Sequence, residues 1–474
     1  MKKIFISSAM ALLPFIASAE LTLPEIIGDN MVLQQRSDAK LWGWAAPGKE
    51  VAVTTSWTGK TVIKSKADKY GRWEISVPTA EASFQPQSIT VNGDGSTVTI
   101  NNVLIGEVWF CSGQSNMEMP LRGFWTQPVE GAAQAIAYSG KYPGIRVATV
   151  PKRASYTPQD RVEGSWKVSS PANAGEFTAV GYFFARSLTD ILNVPVGIIS
   201  CAYGGSKVEG WESKELLDTY PEWSVEKEQA DDSIQEWERI NVMYNAMLHP
   251  LIGYTVKGFL WNQGESNVGR HDTYPQHFAD MVGLWREEWG MGELPIYQVE
   301  IPGWNYGNPE AIDAALLREA QHEAAAITPN CGIVSTSDLL YPYELEDIHA
   351  SRKQEIGERL AFMAAAKTYD IAGIPCEYPA YKSMEVDGNK ATLHFINADN
   401  GFTPNDVLEG FEVAGEDMVF HPADATEIYD TRDIEVSSSE VEKIVAVRYD
   451  FKNFAIGKVH NLMGLPLIPF RTDK

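Results

Sequence analysis

Between residues 102 and 371 the chain alternates continuous apolar runs with segments of helical period, and this alternation restricts the possible folds more than any other feature. The runs "VLIGEVWFC", "VPVGIISC", "VKGFLW", "LPIYQVEI" and "CGIVST" carry few polar residues, as expected of strands covered on both faces. Helical patterns accompany them: "TAVGYFFARSLTDILN", "SIQEWERINVMYNAML", "TYPQHFADMVGLWREEWG", "AALLREAQHEAAAI" and "SRKQEIGERLAFMAAAK". Strand and helix in alternation predict an α/β domain, a largely parallel sheet with helices on both faces.

The flanks read differently. Residues 20–101 hold short alternating runs ("KLWGWA", "EVAVTTSW", "RWEISV", "QSITVN") between turn signals such as Pro47-Gly48 and Asp94-Gly95, which predicts a β-sandwich-like accessory region. Residues 372–474 return to β character with "KATLHFI", "FEVAG" and "KIVAVRYDF". The first 19 residues form a secretory signal pattern: Lys2 and Lys3, an apolar stretch from Ile4 to Ile16, then Ala17-Ser18-Ala19. Cleavage before Glu20 predicts an exported protein, periplasmic or secreted, with no membrane span.

Charge excludes one class of partner. Without Lys2 and Lys3, 37 basic residues face 63 acidic ones, moving the formal net charge from -24 to -26. So negative a surface repels phosphate backbones and anionic membranes, so neither nucleic acid nor membrane is an expected partner. The 14 tryptophans and 19 tyrosines suit a core, and such rings also form flat platforms for sugars. Cys111, Cys201, Cys331 and Cys376 have no C-x-x-C spacing and read as buried free thiols. No paired His/Cys motif is present, so neither a metal nor another cofactor is expected.

In an open α/β sheet the ligand site lies off the carboxyl ends of the strands. There this chain places "SGQSNM" (112–117), "AYGGS" (202–206), "NQGESN" (262–267) and, after the last run, "EDIH" (346–349). Acyl transfer by serine needs a base, a group that orients the base, and donors for an oxyanion. Ser115 is the candidate nucleophile, His349 the base and Asp347 its orienter. The Ser115 N–H, the N–H of Gly204 or Gly205 and the Gln263 side-chain amide are candidate oxyanion donors. Asn116, Glu265, Asn267 and Arg270 are candidates for bracing the site or touching substrate. The D-I-H spacing predicts a turn that folds the Asp347 carboxylate onto the His349 ring, with Glu346, Asp338 or a backbone carbonyl as substitutes. His271 beside Asp272 is the competing base, expected at the pocket rim. A base of this kind predicts an acid limb in kcat/KM near the ordinary histidine value of about 6.5, shifted by the Asp347 charge.

"GQSNM", "YGGS", "NQGESN" and the late "DIH" resemble the sialate O-acetylesterase family of the SGNH hydrolase superfamily. "DNMVLQQ", "GRWEISVP" and "GLPLIPFRTD" resemble its flanking signatures, so the likeness spans nearly the whole mature chain. The resemblance implies a flavodoxin-like three-layer α/β/α domain, no metal, and removal of acetyl esters from sugar hydroxyls, with Ser115, Asp347 and His349 as the catalytic residues. One departure stands out: the family's late block commonly reads Asp-Ile-His-Pro, and Ala350 replaces that proline here. The serine lacks the second glycine of G-x-S-x-G, which argues against the α/β-hydrolase alternative. Two other readings stay open, an acetylesterase of neutral plant glycans such as acetylxylan and a non-catalytic carbohydrate-binding protein. A sialate carboxylate would need an arginine, for which Arg122, Arg270 and Arg318 are candidates near the motifs.

Overall fold

The structure, a computed structural model, describes residues 20–405 and 407–474. The expected export signal at residues 1–19 lies outside them. The fold is α/β around one central sheet. Its main path holds seven strands: β1 (Ser96–Gly113), β2 (Ile145–Thr149), β3 (Trp166–Val168), β4 (Val196–Ala202), β5 (Gly258–Asn262), β6 (Ile296–Val299) and β7 (Cys331–Val334). Their spatial order is β7-β6-β5-β1-β4-β2-β3. Neighbours run parallel, except that the edge strand β3 is antiparallel to β2. The chain leaves β1 toward one edge, returns to β4, then crosses to β5 on the other side of β1. That reversal opens a crevice at the carboxyl end of β1.

Side chains of a strand alternate between faces, and β1 shows how both faces are filled. Trp109 packs edge-on against Phe184 and stacks with Tyr297. Phe110 points the other way, into Phe259, Trp285 and Trp289. Of the helices α1 (Ser115–Glu118), α2 (Ala179–Leu192), α3 (Tyr274–Trp289), α4 (Asp313–Ile327) and α5 (Lys353–Lys367), α2 and α5 share the core on the Trp109 face. Helices α3 and α4 share the core on the Phe110 face. Local signals bound these helices. The Thr178 hydroxyl caps α2 by accepting the Gly181 N–H, and α3 ends at Gly290 in the left-handed region, φ 64°.

Two sequence expectations fail locally. The pattern "SIQEWERINVMYNAML" forms no continuous α-helix: its first half holds only a 3-10 turn at Glu236–Glu238, and its second half is a helical run over 242–251 that passes through a π-turn at Tyr244–Leu248 into a 3-10 turn at His249–Leu251. Its residues from Ile240 to Leu248 are all buried, so the apolar pattern reported complete burial and not one helical face. Asn241, at φ 66°, breaks the run, and the Ile240 N–H is drawn to the Glu228 carboxylate at 2.6 Å. Strands β2 and β3 were not anticipated, because "IRVAT" and "WKV" are too short to show a period.

The long strand β1 passes straight through the expected boundary at 101/102. Its first half pairs antiparallel with Ser83–Gly93, and Val32–Gln34 adds to its middle in parallel. The N-terminal β region is therefore continuous with the central sheet. Among the described residues the C-terminal strands pair only with one another, in sheets that include Ala380–Asp387, Lys390–Ile396 and Asp433–Ser437. They enclose a separate core of Leu393, Phe411, Val436, Tyr449 and neighbours. Asn453 fastens this region to α4, its Oδ1 accepting the Ala314 N–H at 2.8 Å. All four cysteines are free. No described helix is long and apolar enough to cross a membrane.

Candidate active site

Strand β1 stops at Gly113 for a steric reason. Its φ is +130°, and a Cβ there would sit 2.1 Å from the Asn262 carbonyl oxygen. Only glycine permits β1 and β5 to lie so close at that conformation. Gln114 then joins the strand ends: its N–H donates to Asn262 O at 2.9 Å and its Oε1 accepts the Gly264 N–H at 3.1 Å. Ser115 follows as the first residue of the single-turn α1, in the crevice where the strand order reverses. Its N–H belongs to a helical first turn, where no intrahelical acceptor is available.

His349 reaches Ser115 from the loop before α5, with Nε2 and Ser115 Oγ 2.7 Å apart. The structure thus brings together two residues 234 apart in sequence. The third expected partner does not meet the ring. Nδ1 of His349 lies 2.5 Å from Gln127 Oε1, while the Asp347 carboxylate accepts the backbone N–H of His349 at 3.0 Å. The predicted turn exists, but a carboxylate two residues before a backbone N–H closes onto that nearer donor. The two carboxylate substitutes are also engaged elsewhere. Glu346 accepts from Asn305, and Asp338 is clamped by Arg359 and His460, which overcome its burial and hold it down to about 2. His271 is paired with Asp272 at 3.1 Å. Ala350, in place of the family's proline, is buried, and the loop is fastened there by the Ser351 N–H donating to Glu344 at 2.8 Å.

Gln127 belongs to a turn at 124–127 whose ends exchange backbone hydrogen bonds, Phe124 N–H to Gln127 O at 3.0 Å and the reverse at 3.2 Å. Phe124 packs edge-on against the His349 ring with centroids 5.2 Å apart. The ring is therefore gripped from an edge and from Nδ1 by one short turn.

Beneath it lies a buried polar network. Lys353 Nζ donates to Asn116 Oδ1 at 2.5 Å, and Asn116 Nδ2 donates to Glu265 and to the Ile348 carbonyl. Burial pushes the Glu265 carboxyl up and brings the Lys353 ammonium down to about 8, against the attraction of Glu265, Glu344 and Asp347. Lys353 thus keeps its charge at neutral pH. Burial first, and then this nearby cation, depress His349 from 6.5 to about 4. The expectation of a near-ordinary value assumed a carboxylate at Nδ1; an amide oxygen there offers no charge to offset burial.

The oxyanion candidates divide. Gly204 is beside Ser115, since a Cβ on it would lie 3.3 Å from Ser115 Cβ, but its N–H donates to Glu118 at 2.7 Å. Glu118 is in turn paired with Lys152 at 2.8 Å. Gly205, at φ +81°, lies against the Trp237 ring. Gln263 is turned away: its Nε2 donates to Ser206 O at 3.1 Å and to Asn267 Oδ1 at 2.7 Å. A fully buried amide with two acceptors braces loops, so the expected donor role is withdrawn. Asn267 continues that brace to Glu209 and the Val208 N–H. Arg270 donates to Ser266 O at 3.1 Å and lies over Trp223. Arg318 is buried against the Lys452 carbonyl and cannot greet a carboxylate, whereas Arg122 pairs with Glu176 in an exposed ion pair that leaves its guanidinium open to solvent.

Sequence reading missed Gln127, Lys353 and Glu118. "GFWTQP" carries no periodic or motif signal, and Lys353 looked like an ordinary first-turn residue of its helix. Among the described residues no group of three or more His, Cys, Asp or Glu side chains could hold a metal ion.

Comparison with known proteins shows which family the chain belongs to. A family model described as "Carbohydrate esterase, sialic acid-specific acetylesterase" matches residues 105–366. A carbohydrate acetylesterase crystal structure from Xanthomonas citri superposes with a TM-score of 0.85 at 34% identity, covering 96% of this chain and all of that one. The sialate O-acetylesterase of Homo sapiens is 27% identical over 402 residues, 78% of this chain and 75% of that protein. The Mus musculus sialate O-acetylesterase is 26% identical, with 78% and 77% covered.

Proposed function

Since the chain belongs to the sialic acid-specific acetylesterase family of carbohydrate esterases, and is a carboxylic ester hydrolase by that membership, we propose that it removes O-acetyl groups from sugars through an acetyl-Ser115 intermediate. The observation that carries this reading is the 2.7 Å contact between Ser115 Oγ and His349 Nε2 at a strand-end crevice. With Gln127 Oε1 as acceptor at Nδ1, the neutral ring holds its proton on Nδ1 and leaves Nε2 free to accept. Ser115 Oγ attacks the acetyl carbonyl while His349 takes the hydroxyl proton. The oxyanion is met by the Ser115 N–H, while the Gly204 N–H beside it is engaged by Glu118 and donates only where that carboxylate moves aside. Collapse expels the sugar alkoxide, protonated by His349, and water then releases acetate by the same steps in reverse roles.

In this mechanism Gln127 orients the ring but cannot neutralise the imidazolium, so the arrangement is a Ser115–His349 pair positioned by an amide. Asp347 shapes the loop that presents His349. The layering of α2 and α5 against α3 and α4 supports a three-layer flavodoxin-like SGNH domain within 102–371; the flanking regions 20–101 and 372–474 are β-rich, and the first runs into that domain through β1. The basic, apolar and small residues of 1–19 support export. Acetate release from a panel of O-acetylated sialic acids and acetylated xylo-oligosaccharides tests the function. Release from one sugar class, lost in Ser115→Ala, supports it; release from none overturns it.

A further inference from the structure

We infer that Trp125 is a stacking platform for a pyranose ring of the substrate, and so a specificity-determining residue at the lip of the Ser115 crevice. This rests on the acetylated-sugar reading above. Trp125 is 92% exposed, more than any other large hydrophobic residue described. An indole left in water forgoes the stabilisation its burial would contribute, and an isolated ring on a mobile loop would need no explanation. This ring is different because its support is rigid and tied to the catalytic histidine.

Trp125 occupies the 124–127 turn, between Phe124, which packs on the His349 ring, and Gln127, which holds its Nδ1. The turn is closed by two backbone hydrogen bonds. At its base Gly123 has φ +78°, and a Cβ there would come 2.4 Å from Gln127 O. At its tip Thr126 adopts φ 63°, which is costly for a β-branched residue and persists only where surroundings impose it. The backbone hydrogen bonds between Phe124 and Gln127 and the contacts of both with His349 hold the turn that lifts Trp125 into solvent. The contrast is Trp237, on the glycine side of Ser115, which is 42% exposed because it lies against Gly205.

A pyranose presents one face rich in axial C–H groups, which suits a flat aromatic surface by dispersion and loss of apolar hydration. The acetyl ester must lie at Ser115 Oγ. A sugar ring that runs from there past His349 meets the 124–127 turn, which touches the far side of the imidazole through Phe124 and Gln127. A rigid aromatic at this place lowers the ordering cost of binding without entering the chemistry.

The test compares wild type, Trp125→Ala and Trp125→Tyr on acetylated xylo-oligosaccharides, O-acetylated sialic acid and vinyl acetate, an ester with no ring. In Trp125→Ala the ratio of kcat/KM on the preferred acetylated sugar to that on vinyl acetate is expected to fall about tenfold, mostly through KM, and Trp125→Tyr restores most of it. Equal losses on sugar and vinyl acetate would mean that Trp125 acts only through the turn holding His349, and overturn the platform; no change on any sugar overturns it as well. Which sugar shows the larger fall identifies the ring that stacks. Tryptophan fluorescence of Ser115→Ala titrated with the same sugars separates this idea from the esterase reading. Quenching that disappears in Ser115→Ala/Trp125→Phe supports the platform even if wild type releases no acetate; absence of quenching by every sugar overturns it.

Discussion

Two histidines of this protein form the same kind of contact at Nδ1 with opposite results. His277, on α3, is fully buried, with Nδ1 2.9 Å from a Glu212 carboxylate oxygen, its ring stacked on Tyr220 and its Nε2 accepting from Trp223. His349 is half-buried, with Nδ1 on the Gln127 amide oxygen and Nε2 on a serine hydroxyl. Burial lowers both, but the Glu212 carboxylate more than compensates and raises His277, whereas His349 faces an uncharged amide and the Lys353 cation and falls to about 4. A carboxylate–histidine pair is therefore no marker of an active site in this fold. What separates the two is what stands at Nε2: an indole N–H at a sealed site, or a serine hydroxyl at an open strand end.

The largest effect that sharpens the contrast is loss of chemistry at one histidine and not at the other. Ser115→Ala and His349→Ala are each expected to lower kcat at least about 1,000-fold, measured as acetate release under saturating substrate. His277→Ala is expected instead to cost about 3 kcal/mol of stability, because Glu212 is left buried without its partner, with kcat of the folded fraction within about twofold. Denaturant melts beside activity assays distinguish these outcomes; a thousandfold loss of kcat in folded His277→Ala would erase the distinction.

The next effect concerns pH. Because the folded-state value of His349 is depressed, its neutral, basic form persists as pH falls from 6.5 toward about 4, and the acid limb of kcat/KM is expected in that lower range. The same depression means that the unfolded chain binds a proton first. Stability from this residue is thus complete above about 6.5 and is lost as pH falls through the folded value. Gln127→Glu places a carboxylate where His277 has one, and should move the acid limb up by at least about one pH unit. A limb already at 6.5 in wild type, or unmoved by Gln127→Glu, would show that Gln127 does not set the ring's environment.

The smallest expected effect is that of Asp347→Asn. The asparagine oxygen can still accept the His349 N–H, so kcat should stay within about threefold, while Gln127→Ala costs about 10- to 100-fold through a misoriented ring. Steady-state kinetics on one acetylated sugar suffices. A loss in Asp347→Asn approaching that of His349→Ala would return Asp347 to the role of orienter.

The sequence by itself determined the parts of this protein that depend on local repetition. Continuous apolar runs marked five strands of the parallel sheet, and strand-end position singled out Ser115, Gly204, Asn267 and the D-I-H segment, because side-chain period and strand direction are written in consecutive residues. It overextended "SIQEWERINVMYNAML", where a positive φ at Asn241 breaks the pattern and only the second half is helical, and it passed over β2 and β3, which are too short to show a period. Only the tertiary structure decided which group touches His349 Nδ1. Gln127 lies 222 residues away, in a turn with no periodic signature, and nothing local distinguishes it from any exposed glutamine. The same holds for Lys353, 237 residues from the Asn116 amide it meets. Residue types at strand ends are fixed by chain geometry, whereas charge at the base is fixed by which distant side chains the fold packs around it.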